Sequence, residues 1–242
     1  MKPSIRIVGL GRAGRSFGKA LETVGWEVEG FGRDAPVARM ATGCDLVLVC
    51  TPDDAVADVA NLIEPGPAVI AHVAGSLGLE VLEAHDRRAA IHPLISLPSG
   101  EVGAERLLDE GWFAIAGHPV AAAIVDALGG RAFAIADEDR AIYHAAACVA
   151  SNHTVALMGQ VERLAEGIGV PAEAYVALAA ASLDNARTMG AAAALTGPAA
   201  RGDSTTIARH LDQLPADERA TYEAMVHEAR RLAAQAQREP GG

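Results

Sequence analysis

His144, Cys148 and Asn152 interrupt a stretch that is otherwise largely apolar between Ile142 and Met158. Their spacing, i, i+4 and i+8, sets them along one slowly turning face of a helix. Ser151 and His153 add two more polar groups to the same stretch. Buried polar side chains need partners, and a neighbouring helix is the simplest source. A stripe of three also suits a small-molecule cleft, where an imidazole passes a proton near neutral pH and an amide orients the reacting group. A second histidine, His92, stands before Pro93 near the end of the apolar run Ala89 to Leu94. There it either donates to a substrate oxygen or fixes the loop beside the proline. His72, inside the run Ala68 to Val73, reads as structural.

The N-terminus carries a different signal. Gly9-Leu10-Gly11-Arg12-Ala13-Gly14 has its glycines in G-x-G-x-x-G spacing. The run follows a short apolar strand at Ile5 to Val8. It opens an amphipathic helix, Arg15 to Val24, with Phe17, Ala20, Leu21 and Val24 on one side. Gly9 allows the sharp turn, Gly11 lets the backbone approach a pyrophosphate, and Gly14 lets the helix pack on the strand. The open N–H groups at the helix start then face the anion. A dinucleotide site is predicted. Its preference is set by the end of the next strand, Trp26 to Phe31, where an acid would bond a ribose 2′-hydroxyl. The chain instead continues Gly32-Arg33-Asp34. Arg33, with Arg12 within reach, suits a 2′-phosphate and favours NADP(H). In the alternative, Arg33 is solvated and Asp34 takes the acid's part.

These groups require a scaffold. Asp45 to Cys50 reads as a buried parallel strand, with Thr51-Pro52-Asp53-Asp54 at its carboxyl end. The backbone of Thr51 and Pro52 is expected beside the nicotinamide half of the cofactor, and Asp53 or Asp54 caps a helix from near Ala55. Further strands fall at Ala68 to Val73, Ala89 to Leu94, Gly111 to Ala116 and Ala132 to Ala136, with a helix from Pro119 to Leu128. The alternation predicts an α/β domain over residues 1–136, built on a doubly wound parallel sheet. From Asp137 the strands stop, and residues 137–242 are expected to form an all-helical domain. Its first helix, Glu138 to about Gly167, is apolar nearly all round and is predicted to be buried. Helices from Pro171 to about Thr188, up to His210, and from about Pro215 to Gln237 follow, with Glu239 to Gly242 expected to fray. Asp203, before Ser204-Thr205-Thr206, is an N-cap candidate. Arg201 is offered Asp203, a substrate carboxylate or another subunit as partner.

Composition narrows the function. Among 242 residues half are apolar, aromatics are only 4%, and alanine is abundant, which suits closely packed helices. A formal net charge of −11 argues against nucleic acid or an anionic membrane as partner. No uninterrupted apolar span or signal-peptide layout is present. Cys44, Cys50 and Cys148 lack metal-ligand spacing, and their odd number fits reduced thiols. A soluble cytoplasmic protein without a metal is expected.

Over nearly its whole length the chain resembles a family with an N-terminal Rossmann-like domain and a helical C-terminal domain long labelled as of unknown function. This family lies in the 6-phosphogluconate dehydrogenase-like superfamily, with the hydroxyacid dehydrogenases, pyrroline-5-carboxylate reductase and ketopantoate reductase. The residues that carry the match are Gly9 to Gly14, His92-Pro93-Leu94, Tyr143-His144-Ala145-Ala146, Ala150-Ser151-Asn152 and the specific run Leu195-Thr196-Gly197-Pro198-Ala199-Ala200-Arg201-Gly202-Asp203. The resemblance implies NADPH-dependent reduction of a small 2-keto acid, with ketopantoate the leading candidate, by a homodimer paired through its helical domain. It further implies Asn152 orienting the substrate and His144 as proton donor, with His92 positioning. Ser151, Arg201 and Asp203 are expected to contribute to substrate binding. Two departures stand out. Many relatives carry a catalytic lysine four residues before the asparagine, where this chain has Cys148, and Ala74-Gly75-Ser76 lacks the family's serine-glycine order. Reduction of an imine or another keto acid, or NADPH binding without turnover in a regulatory protein, are the alternatives.

Overall fold

Leu46–Val49 and Val69–His72 are apolar or buried at every position, so each must be covered on both faces. Both lie centrally in a seven-stranded sheet of order β2-β1-β3-β4-β5-β6-β7. The strands are β1 (Ser4–Val8), β2 (Glu27–Phe31), β3 (Leu46–Val49), β4 (Val69–His72), β5 (Arg88–Pro93), β6 (Trp112–Gly117) and β7 (Arg131–Ala134). The computed structural model describes residues 2–238, so the expected fraying of Glu239 to Gly242 lies outside the described residues. Alternate side chains of β3 feed two cores. Leu46 and Leu48 join Ile5, Ile7, Phe17, Leu21, Ile91 and Phe113 on one face. Val47 and Val49 join Val8, Val56, Ile63, Ile70 and Leu82 on the other.

The sheet departs from the all-parallel expectation at one place. β5 and β6 are antiparallel, with Ala89 opposite Gly117 and Pro93 opposite Phe113, whereas the other neighbouring pairs are parallel. After Pro93 the chain forms α3 (Gly100–Leu107), which packs on α1 (Arg12–Thr23). The chain then re-enters the sheet at the end it left, and Leu94 N donates to Trp112 O at 2.8 Å. The α1–α3 contact is close enough that a Cβ on Gly103 would fall 2.0 Å from Ser16 Oγ. Two further helices, α2 (Val56–Leu62) and α4 (Val120–Ala127), complete the cover.

Past β7 the expected long helix is present but not uniform. α5 (Arg140–Cys148) passes into one π-helical turn, Val149–His153, and then α6 (Thr154–Ile168). Gly169, at φ +68°, ends it in the left-handed conformation. The chain forms two compact units, residues 1–152 and 153–242, so α5 belongs with the sheet. The second unit contains most of α6, then α7 (Ala172–Met189), α8 (Ala191–Ala194), α9 (Ser204–Gln213) and α10 (Arg219–Arg238). Within it Gln160 Nε2 donates to Glu218 O at 2.9 Å, and Arg163 forks onto the Glu218 carboxylate at 2.5 and 3.1 Å.

The predicted burial of the long helix is not found in the single chain. Among described residues of α5 and α6 only Arg140, Gln160 and Ala165 are buried, while Ile142 and Val155 are 71% and 70% exposed. Apolarity on all sides states what a helix prefers to touch, and one chain supplies too little to cover it. No described helix is long and apolar enough to cross a membrane.

Candidate functional site

The strand order reverses between β1 and β3, which opens a crevice at the carboxyl edge of the sheet. The glycine run occupies that crevice. Gly9 has φ +99°, and a Cβ there would lie 2.8 Å from the carbonyl of Cys50. Gly14 rests on the Gly9 carbonyl, where a Cβ would come within 2.0 Å. A Cβ on Gly11 would meet nothing within 4 Å, so the backbone is open to approach there. Gly11 is also the N-cap of α1 and supplies no side-chain cap, which leaves the first-turn N–H groups for an anion. Arg15 Nε braces the loop by donating to Leu10 O at 2.8 Å.

Gly9 N donates to Phe31 O at 2.9 Å, tying the loop to the end of β2. Arg33 follows two residues later and is exposed, as is Arg12 on the first turn of α1. On the β3 side, Thr51 Oγ1 is buried without a hydrogen-bond partner among the described residues, and Pro52 follows it. An open Gly11, an uncapped helix start, an orphaned hydroxyl and two exposed arginines fit a dinucleotide with a 2′-phosphate.

Farther along the same edge, β5 delivers His92, which is partly buried. Its Nδ1 lies 2.6 Å from the Tyr143 hydroxyl. The ring meets Tyr143 and His144 edge-on, with centroids 5.5 and 5.9 Å away. Phe133 also packs edge-on against Tyr143, with centroids 5.8 Å apart. On the loop after β4, a Cβ on Gly75 would stand 2.7 Å from both His92 Nε2 and His144 Cδ2. Beside it Ser76 Oγ donates to Asp53 Oδ2 at 2.7 Å, joining that loop to the one after β3.

Burial, then the neighbouring His144 and Arg140, lowers the pKa of His92 to about 4 against the opposing pull of Asp53. His92 is therefore neutral at pH 7. Burial raises Tyr143 to about 12, although Arg140 acts the other way. Arg140 is only 1% exposed. Its Nε donates to Asp137 Oδ1 at 3.0 Å, while Nη1 and Nη2 have no hydrogen-bond partner among the described residues. Asp137 is also held by Leu79 N at 3.1 Å. Its carboxyl is kept below the usual range, partial burial being outweighed by Leu79 N–H and Arg140. His72 is structural in form, with Nε2 donating to Gly78 O at 3.1 Å. Burial and, less strongly, Arg140 lower its pKa.

The structure thus brings His92 and His144 together and adds Tyr143, Gly75, Asp53, Ser76 and Arg140. Tyr143 could be seen in the sequence only as the neighbour of His144, because its partner is 51 residues away. Ser151 and Asn152 are exposed and lie in the π turn. That wider turn advances less per residue, so it holds Asn152 nearer the His144 face than a regular helix would. In the second unit Asp203 is the N-cap of α9, accepting from Thr206 N at 2.9 Å, and Arg201 is exposed on the preceding turn.

Residues 111–229 match the family described as Domain of unknown function (DUF2520). No curated protein matches the chain in sequence. Among solved structures, protein TM1727 from Thermotoga maritima is 26% identical with a TM-score of 0.74, over 97% of this chain and 100% of that one. The proposed NADP oxidoreductase BF3122 from Bacteroides fragilis is 22% identical, with a TM-score of 0.77 over 95% and 98% of the two chains. Plasmodium falciparum pyrroline carboxylate reductase, solved with NADP bound, is 14% identical, with a TM-score of 0.64 over 96% and 98%. These likenesses establish a Rossmann-like sheet followed by a helical region.

Proposed function

We propose that the chain is an NADPH-dependent reductase of a small 2-keto acid, with ketopantoate the leading candidate. The observation that supports this best is a single sheet edge carrying both the open glycine loop and the neutral, hydrogen-bonded His92. Gly9, Leu10, Gly11, Arg12, Ala13 and Gly14 would hold the pyrophosphate, Arg33 the 2′-phosphate, and Thr51 and Pro52 the nicotinamide side. NADPH supplies a hydride from its nicotinamide C4. The chain must then exclude water, orient the carbonyl and protonate its oxygen. His92 and His144 are the imidazoles available, and Ser151 and Asn152 are the polar groups proposed to orient the keto acid. A carboxylate-binding role for Arg201 is proposed from its charge alone, while Asp203 serves the start of α9.

A second reading, reduction of a cyclic imine, draws on the Plasmodium relative's name. A third, NADPH binding without turnover, draws on Cys148 in place of the superfamily lysine. Fluorescence titration with NADPH, followed by loss of nicotinamide absorbance with keto acids and cyclic imines, separates the three. Turnover of ketopantoate above the other substrates is expected. Binding with no oxidation by any of them would favour the regulatory reading.

A further inference from the structure

We propose that Tyr143 and His92 form a proton relay, in which Tyr143 donates to His92 Nδ1 and His92 delivers its Nε2 proton to the substrate oxygen. The inference rests on the reductase reading and assigns its proton donor to His92, where family resemblance favours His144.

The relay is built on one short contact between the two side chains. The Tyr143 hydroxyl and His92 Nδ1 are 2.6 Å apart, while Nε2 makes no hydrogen bond to a described residue. A neutral imidazole carries one N–H. If Tyr143 donates at Nδ1, that N–H is at Nε2, beside the side-chain-free Gly75. The His92 atom nearest that position is Nε2 itself, whereas the nearest His144 atom is Cδ2. The charged and titratable groups facing the His92 ring are His144, Tyr143 and Arg140 from the α5 region, Asp53 from the loop after β3, and His72 from β4. Burial first, and then Arg140 against the opposing Asp53, keeps the ring neutral.

A neutral imidazole alone is a poor acid, because loss of Nε2–H leaves an imidazolate. The relay removes this difficulty. As the hydride pair from NADPH forms the new C–H bond, the carbonyl π pair moves to oxygen. That oxygen takes the proton from Nε2 while the Tyr143 O–H breaks and a proton arrives at Nδ1. The ring stays neutral in its other tautomer, and Tyr143 becomes a phenolate. Arg140, buried with two nitrogens unpartnered among the described residues, is the cation that favours this phenolate. Once the product leaves, water protonates Nε2 and Nδ1 returns its proton to Tyr143. One proton is drawn from solvent per turnover. Tyr143 acts through His92 and is a positioning residue.

Nitrogen-15 NMR of histidine-labelled protein without ligands tests the hydrogen-bond direction. His92 is expected as the neutral Nε2–H tautomer between about pH 6 and pH 8, and Tyr143→Phe should abolish that preference. An Nδ1–H tautomer in the unmodified protein would overturn the proposal, whether or not the variant folds. In kinetics, Tyr143→Phe should lower kcat about 10²-fold, with KM and the NADPH Kd within about twofold. An unchanged kcat would equally overturn it. Failure of the unmodified protein to bind NADPH would instead refute the underlying reductase reading, a result that the tautomer measurement keeps distinct.

Discussion

Gly75 lies so close to His92 that a Cβ on it would stand 2.7 Å from His92 Nε2. The loop after β4 and the end of β5 can meet this closely only because residue 75 has no side chain. The atoms in the way are ring edges rather than backbone, and they must shift to admit a Cβ. Gly75→Ala should therefore fold but displace His92 from Tyr143. The expected result is a fall in kcat of at least about tenfold, with the NADPH Kd unchanged. Steady-state kinetics and fluorescence titration check it, and an unaltered kcat would remove Gly75 from the reacting region.

Stability should fall with acidification through His92. Its pKa is about 4 in the folded protein and about 6.5 in an unfolded chain. Above about pH 6.5 the ring is neutral in both states and contributes no slope. Between about pH 6.5 and 4 the unfolded chain binds more protons, so stability drops as pH falls, and the loss is complete below about 4. The whole effect is about 3 kcal/mol at most. His72, also lowered, acts in the same direction. Urea unfolding at pH 7 and near pH 4.5 should show a smaller loss for His92→Gln than for the unmodified protein. Equal losses would mean that the His92 ring is solvated like a free imidazole.

Much of the scaffold was legible because its signals are local. The Gly9 to Gly14 spacing gave the turn, and the apolar runs at Leu46–Val49 and Val69–His72 gave central strands. Strand direction is not local. Nothing in the Trp112–Gly117 run reports that it pairs antiparallel with β5, since direction depends on the end of the sheet at which the chain re-enters after α3. The candidate constellation was half legible for the same reason. His92 and His144 are conspicuous types at conspicuous places, but the Tyr143 bond, the Asp53–Ser76 bond and the burial of Arg140 arise only when separate loops meet at one edge. Apolarity misled at α5 and α6, because it reveals a helix's need for cover and not whether its own chain provides it.

Cofactor choice is expected to follow Arg33. It is exposed, lies two residues beyond Phe31, and Phe31 O binds the first glycine of the loop. A charge-assisted contact to a 2′-phosphate is worth about 1.5–3 kcal/mol, or about ten- to a hundredfold in affinity. NADPH should bind more tightly than NADH by that factor, and Arg33→Ala should erase most of the difference. Paired titrations of both cofactors measure it. Equal affinities in the unmodified protein would transfer the role to Asp34 and NAD.

The helical unit should be completed by a second copy of the chain. Among its described residues only Gln160, Ala165, Ile207 and Glu218 are buried, and two of those four are polar. Val155, Ile168, Leu178 and Leu183 are meanwhile 70%, 69%, 63% and 59% exposed. Each large aliphatic side chain removed from water contributes about 1.5–3 kcal/mol, so a partner covering several would bind firmly despite the net charge. A polar partner would gain nothing from such residues, whereas an identical apolar face satisfies them on both sides of a twofold axis. Light scattering at micromolar concentration should give twice the chain mass of 24.9 kDa. Val155→Arg together with Leu178→Arg should shift the population toward monomer and lower the melting temperature, which would then depend less on protein concentration. A monomeric unmodified protein with a concentration-independent melting temperature would overturn the dimer.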